Sequence, residues 1–128
     1  MKIRPTVWGS VMAGLGVIFG AFGAHALKET LEPQDLEAFK TGVQYQMFHA
    51  LALIFTGMML KSKPSKNLAN AALCFILGIF LFSGSLYIIT IGKATSNNLT
   101  WLGPVTPIGG ISFIVGWILV VYHQLSKR

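Results

Sequence analysis

The sequence predicts an all-α protein, a four-helix transmembrane bundle, and three observations lead there. Of the 128 residues, 53% are hydrophobic and only 11% are charged, where a soluble domain carries about 25% charge. The charges gather in short clusters and leave residues 5–27, 41–60, 67–92 and 94–126 without any. Along each of these runs, small residues recur at steps of three and four, the spacing of one helix face. A disordered tail, a coiled coil and an ordinary cytosolic domain are excluded by this pattern. A chain this short forms one unit, so residues 1–128 are expected to be a single membrane domain.

Each element follows from the distance a chain must cover. A helix needs about 20 apolar residues to cross a hydrocarbon layer about 30 Å thick. The first three runs each fit one crossing, at about 6–27, 41–60 and 68–91. The fourth opens with Ala94-Thr95-Ser96-Asn97-Asn98, a loop sequence, so its crossing is expected at about 106–125. There Thr106 would cap and Pro107 would take the first helical position. Strands of a closed barrel would alternate in polarity, and no run does. Between the first two spans, Leu31, Leu36, Phe39 and Val43 recur at helical spacing beside all four acids of the chain. Pro33 is expected to open a short amphipathic outer segment there, about 33–40, lying on the membrane face. A vestibule concentrating cations is the sharper alternative for the same acids.

Charge sets the expected orientation. Lys2 and Arg4, the loop lysines Lys61, Lys63 and Lys66, and Lys127 with Arg128 all fall on one side, with no acid. The other side has Lys28, Lys40 and Lys93 against Glu29, Glu32, Asp35 and Glu37. The positive-inside rule then puts both termini in the cytoplasm. Attraction to anionic inner-leaflet lipid accounts for the basic balance, and no basic patch interleaved with aromatics points to nucleic acid. Ala24-His25-Ala26 resembles a signal cleavage site, but the apolar stretch before it is long and diluted by glycine, so cleavage is not expected.

Lipid offers helices no hydrophobic reason to associate, so small residues must let them approach closely. The seams are Gly9, Ala13, Gly16, Gly20 and Gly23; Gly42, Tyr45, His49, Ala52 and Thr56; Ala71, Cys74, Gly78, Ser85 and Gly92; and Gly109, Ser112, Gly116 and His123. Four such stripes facing inward make a left-handed bundle.

Candidate functional groups are few: His25, Tyr45, His49 and Ser85. An ionisable residue inside a span is a functional hypothesis by default, and His49 lies well inside the second. Its bland alternative is a neutral imidazole tying helices together. His25 stands near the outer end of the first span, and a late-starting second span would bring the two histidines level. Such a pair could move protons or hold a metal. No carboxylate accompanies them within a span, so no metal is expected. His123 reads as a cation at a helix C-terminus, and the lone Cys74 as a packing residue. Zinc-protease, phosphate-loop, dinucleotide and serine-hydrolase signatures are all missing. No catalytic residue and no cofactor is expected.

Five blocks then resemble a known family. They are Gly20-Ala21-Phe22-Gly23-Ala24-His25-Ala26-Leu27, Tyr45-Gln46, His49-Ala50-Leu51-Ala52-Leu53, Phe82-Ser83-Gly84-Ser85-Leu86-Tyr87 and Gly103-Pro104-Val105-Thr106-Pro107-Ile108-Gly109-Gly110. In this order they are similar to the domain-of-unknown-function family 423, over nearly the whole chain. The resemblance implies a small multi-pass protein of the bacterial inner membrane and assigns no catalytic residue. The expected function is therefore a non-enzymatic structural or accessory membrane component. Its partners would be membrane lipids and further copies or a larger membrane complex, with no nucleic acid and no ligand specified. The alternative is a transporter or channel for a small solute or proton, lined by His25, Tyr45, His49 and Ser85.

Overall fold

A computed structural model describes residues 3–126, and every regular element among them is helical. Helix α1 spans Pro5–Leu27, α2 Pro33–Ser62, α3 Lys66–Ala94 and α4 Val105–Leu125. All four are long and apolar enough to cross a membrane. The order of contacts is that of an up-down bundle. Gly9 meets Ala50 and Ile54, Gly20 meets Val43 and Gly23 meets Phe39, so α1 and α2 run antiparallel. Gly42 meets Leu86 and Tyr87 across the α2–α3 contact, and Gly78 and Gly116 meet Phe113 and Phe75 across the α3–α4 contact. Both described ends of the chain therefore lie at the same end of the bundle as the α2–α3 turn.

Local chemistry explains the boundaries. Pro5 stands at the start of α1 and Pro33 at the start of α2, where a missing N–H costs nothing. Asp35 sits in the first turn of α2, favourably placed for the helix dipole. From there α2 continues unbroken through Ser62, so segment 33–40 is the outer end of the second crossing helix. The helix holds together because Phe39 is buried against Tyr87, with ring centroids 5.1 Å apart, and Asp35 pairs with Lys93 of α3 at 2.7 Å. Ser65 caps α3 by accepting from the Leu68 N–H at 3.4 Å.

Helix α3 stops in a paired C-terminal turn. Asn97 N–H reaches the Gly92 carbonyl at 2.7 Å and Ser96 N–H the Lys93 carbonyl at 3.3 Å. This requires Ser96 in the left-handed region, φ 61°. A side chain on Gly92 would lie 2.8 Å from the Asn97 carbonyl oxygen, which is why glycine stands there. After a 3-10 turn at Thr100–Leu102, α4 begins at Val105 with Pro104 as its cap residue. Thr106 does not cap it: its hydroxyl pairs instead with Ser85 of α3, 2.5 Å away.

Two helices carry an internal π-turn, Phe19–Gly23 in α1 and Ile79–Ser83 in α3. One extra residue per turn rotates everything beyond it around the axis. In α3 Ser83 faces α2 and Ser85, two residues on and so on the opposite side of the helix, faces α4. The core lies between α2 and α3, around Leu53, Ala71, Ala72 and Phe75, while α4 leaves Ile111, Ile114, Ile118 and Val121 exposed toward lipid.

The seams are close enough to forbid larger residues. A Cβ on Gly78 would overlap the Phe113 ring, and one on Gly109 the backbone of Phe82. Gly14, on the outward face of α1, has open space around it. Gly78→Leu and Gly109→Leu are each expected to destabilise the protein by about 1–3 kcal/mol or more. Gly14→Leu should change thermal unfolding in detergent little, and equal losses at all three would refute the inward stripes.

Candidate functional site

The polar interior is built on α2. Gln46 and His49 are 2% and 5% exposed, one turn apart near mid-helix. Lys40 and Lys61 flank His49 about 14 and 18 Å away along the axis, so His49 sits near mid-depth.

Both imidazole nitrogens of His49 are engaged. Nδ1 lies 2.7 Å from the Tyr45 carbonyl oxygen, and the Trp117 indole Nε1–H donates to Nε2 at 3.0 Å. A carbonyl oxygen can only accept and an indole N–H can only donate. The ring is therefore neutral, with its proton on Nδ1. A second proton on Nε2 would confront the Trp117 N–H directly. Aromatic rings close the remaining sides: Phe113 stacks at 3.6 Å between centroids, Phe75 stands at 5.5 Å and Trp117 at 5.8 Å. His49 thus joins α2 to α3 and α4.

Gln46 performs the same task on the opposite side. Its Nε2 donates to the Met12 carbonyl at 2.8 Å, and its Oε1 accepts from the Tyr87 hydroxyl at 2.7 Å. One amide thereby links α1, α2 and α3. Ser83 donates to the Gly42 carbonyl at 2.6 Å, and Ser112 to the Cys74 carbonyl at 2.7 Å. These carbonyls are within reach of a short hydroxyl because small residues bring the helices together.

The sequence-predicted residues separate in this arrangement. His25 is exposed at the outer end of α1. Since Gly23 is level with Phe39, His25 lies about 15 Å or more from His49 along the bundle. The second span does not start late, since α2 begins at Pro33, so the condition that would bring His25 level with His49 is not met. Tyr45 is 38% exposed, with its ring packed 4.6 Å from Phe82. The inward position one turn before His49 belongs to Gln46, because the buried face of α2 is broadened by helices on two sides. Ser85 is buried, donating to the Phe82 carbonyl at 2.9 Å or sharing its proton with Thr106. His123 stands in the last turn of α4 as expected, but it is buried there, 5% exposed, with Nδ1 3.1 Å from the Ser65 hydroxyl. The acids of the outer loop are partly neutralised, Asp35 by Lys93 and Glu37 by Lys40 at 3.7 Å.

Gln46, Ser83, Phe113 and Trp117 were not singled out by sequence reasoning. Two of them carried a signal: Gln46 is an amide within an apolar run, and Trp117 is an indole in mid-span rather than at the interface. Ser83 stood only as part of the Phe82–Tyr87 block, and its partner, the Gly42 carbonyl, is set by how closely α2 approaches.

The model of a family described as "Protein of unknown function (DUF423)" matches residues 19–110. The chain belongs to this family. Its relatives include the UPF0382 membrane protein YwdK of Bacillus subtilis, 39% identical over 116 residues and 90% of each chain. A UPF0382 membrane protein of Haemophilus influenzae is 39% identical over 113 residues, 88% of this chain and 86% of the relative. The UPF0382 inner membrane protein YgdD of Escherichia coli is 33% identical over 122 residues, 95% of this chain and 89% of the relative. No solved structure matches the chain. The relatives' names fit the membrane protein without an assigned activity that the resemblance implied.

Two measurements probe the interior. Nitrogen NMR of His49 is expected to show a protonated Nδ1 and a bare Nε2, with Trp117→Phe perturbing the Nε2 signal; a ring protonated on Nε2 would contradict the geometry. In a double-mutant cycle, Gln46→Leu and Tyr87→Phe should couple by about 0.6–1.7 kcal/mol, the range of interhelical bonds in lipid. Strict additivity would show that the amide and the hydroxyl act independently.

Proposed function

We propose that this protein is a non-enzymatic structural or accessory component of the bacterial inner membrane, with both termini in the cytoplasm. The observation that carries the reading is the commitment of His49: its two nitrogens are held between a backbone carbonyl and an indole N–H. A proton carrier needs a group free to exchange, and this imidazole would have to abandon a helix-to-helix bond to do so. Gln46 is committed in the same way, to α1 and α3. The name of the Escherichia coli relative supports the inner membrane as the location. The orientation is supported by the cations grouped at the end that holds Arg4 and the α2–α3 turn.

In this role the chain holds a rigid four-helix body in the bilayer and presents its outer faces to lipid, to further copies or to a larger membrane complex. The exposed isoleucines of α4 and the open face of α1 around Gly14 are the surfaces available for such contacts.

Vesicles containing the purified protein and an internal pH-sensitive dye are expected to show no proton flux above protein-free vesicles, with His49→Ala equally silent. Flux that His49→Ala abolishes and Lys28→Ala retains would overturn the reading in favour of transport. Crosslinking in native membranes followed by mass spectrometry then identifies the neighbours, and reporter fusions at both termini should report the cytoplasm.

A further inference from the structure

One feature at the basic end takes no part in holding the helices together. A cleft of about 640 Å³ opens there between the start of α1, the end of α2 and the first turns of α3. Its floor is the contact of Gly57 with Pro5 and Thr6, where a Cβ on Gly57 would lie 2.8 Å from the Thr6 backbone nitrogen. Beyond this contact the chain turns at Pro64 and α3 departs with the small side chain of Ala69 facing the gap, so the space stays unfilled. The walls are apolar, from Ile3, Leu60, Pro64 and Ala69, and among the described residues the charged groups lining it are Arg4 and Lys61.

We propose that this cleft binds an anionic glycerophospholipid, its phosphate held by Arg4 and Lys61 and the first part of its tails lying on the apolar walls. Three observations select this occupant. Among the described residues no carboxylate pairs with Arg4 or Lys61, and all four acids of the chain belong to the opposite end. The cleft lies where the membrane-crossing helices begin and end, the level of lipid phosphates. It is amphipathic in the same sense as a lipid, with cations at the mouth and hydrocarbon on the walls, whereas a free anion would leave those walls against water. Arginine supplies a planar fork for phosphate oxygens, and lysine a flexible point charge that reaches the same level along its apolar stem. The inference goes beyond the proposed accessory role and stands or falls independently of the flux measurement, because it concerns lipid retention alone.

The test is native mass spectrometry of protein released from vesicles of equal phosphatidylglycerol and phosphatidylcholine. The wild type is expected to retain phosphatidylglycerol in preference. In Arg4→Gln with Lys61→Gln, affinity for the first retained phosphatidylglycerol should fall about a hundredfold, the loss of two charge-assisted hydrogen bonds to one phosphate. Lys63→Gln with Lys66→Gln removes the same charge at the same end outside the cleft, and should retain the lipid as the wild type does. Ala69→Trp places an indole across the apolar wall where the tails would lie, without altering charge, and should weaken retention. Equal loss in both double variants would reduce the effect to diffuse surface charge and overturn the site. Undiminished retention in Ala69→Trp, equal retention of phosphatidylcholine, or displacement by millimolar inorganic phosphate would each overturn it as well.

Discussion

Inside a hydrocarbon layer a helix gains nothing by exchanging lipid for another helix on hydrophobic grounds, so every contact in this bundle depends on how closely two backbones can approach. Glycine sets that distance at each interface. Gly9 lies against the Ala50 carbonyl, Gly42 against Tyr87, and Gly109 against the backbone of Phe82. Close approach then makes a second interaction available. A serine hydroxyl is short, and it reaches the carbonyl of a neighbouring helix only when the axes are near. Ser83 to Gly42 and Ser112 to Cys74 are such bonds. Dispersion contacts and hydrogen bonds are therefore coupled here: enlarging a seam residue removes the first and separates the partners of the second.

The deeper polar groups add specificity of arrangement. A glycine seam alone tolerates sliding along its length, because one small residue resembles the next. Gln46 permits no such slip, since its amide must meet Met12 on α1 and Tyr87 on α3 together. His49 imposes the same condition on α4 through Trp117. An imidazole unable to find both partners would be left polar in an apolar box of Phe75 and Phe113, which is costly. The two side chains stand one turn apart on α2 and face different neighbours. Together they fix the register of three helices against a fourth.

The number of long apolar helices and most seam residues were legible in the sequence, because length and hydropathy respond to the bilayer rather than to tertiary detail. Gly9, Gly16, Gly78, Gly109 and Gly116 all lie where their spacing placed them. What was not legible depends on continuity and rotation. Pro33 reads equally well as the start of a surface helix or of a long crossing helix. The choice falls to the Phe39–Tyr87 contact and the Asp35–Lys93 pair, both long-range. That choice also decides how far His25 stands from His49. The seam of α3 that faces α4 runs through Cys74, Gly78 and Ser85, so a single stripe finds Ser85 and passes over Ser83, which faces α2 from the other side of the same helix. For the candidate site, the sequence marked His49 correctly as buried and polar. Its tautomer could not be read, because that is set by Trp117, far away in the chain.

The two ends of the bundle differ in a way that links orientation to recognition. At the end away from the α2–α3 turn, Asp35 stands beside Lys93 and Glu37 beside Lys40, and three lysines face four acids, so the charges nearly balance. At the other end Arg4, Lys61, Lys63 and Lys66 stand without an acid in the sequence around them. Such a cluster repels itself unless anions are near, and an anionic leaflet supplies them within a Debye length. In the proposed orientation, the charge imbalance that the positive-inside rule reads is also a demand for counter-charge. Lys63 and Lys66 lie outside the cleft and can satisfy that demand diffusely. Arg4 and Lys61 border a gap with apolar walls, so their demand has a shape, and the distribution of four acids along the sequence is what leaves it open.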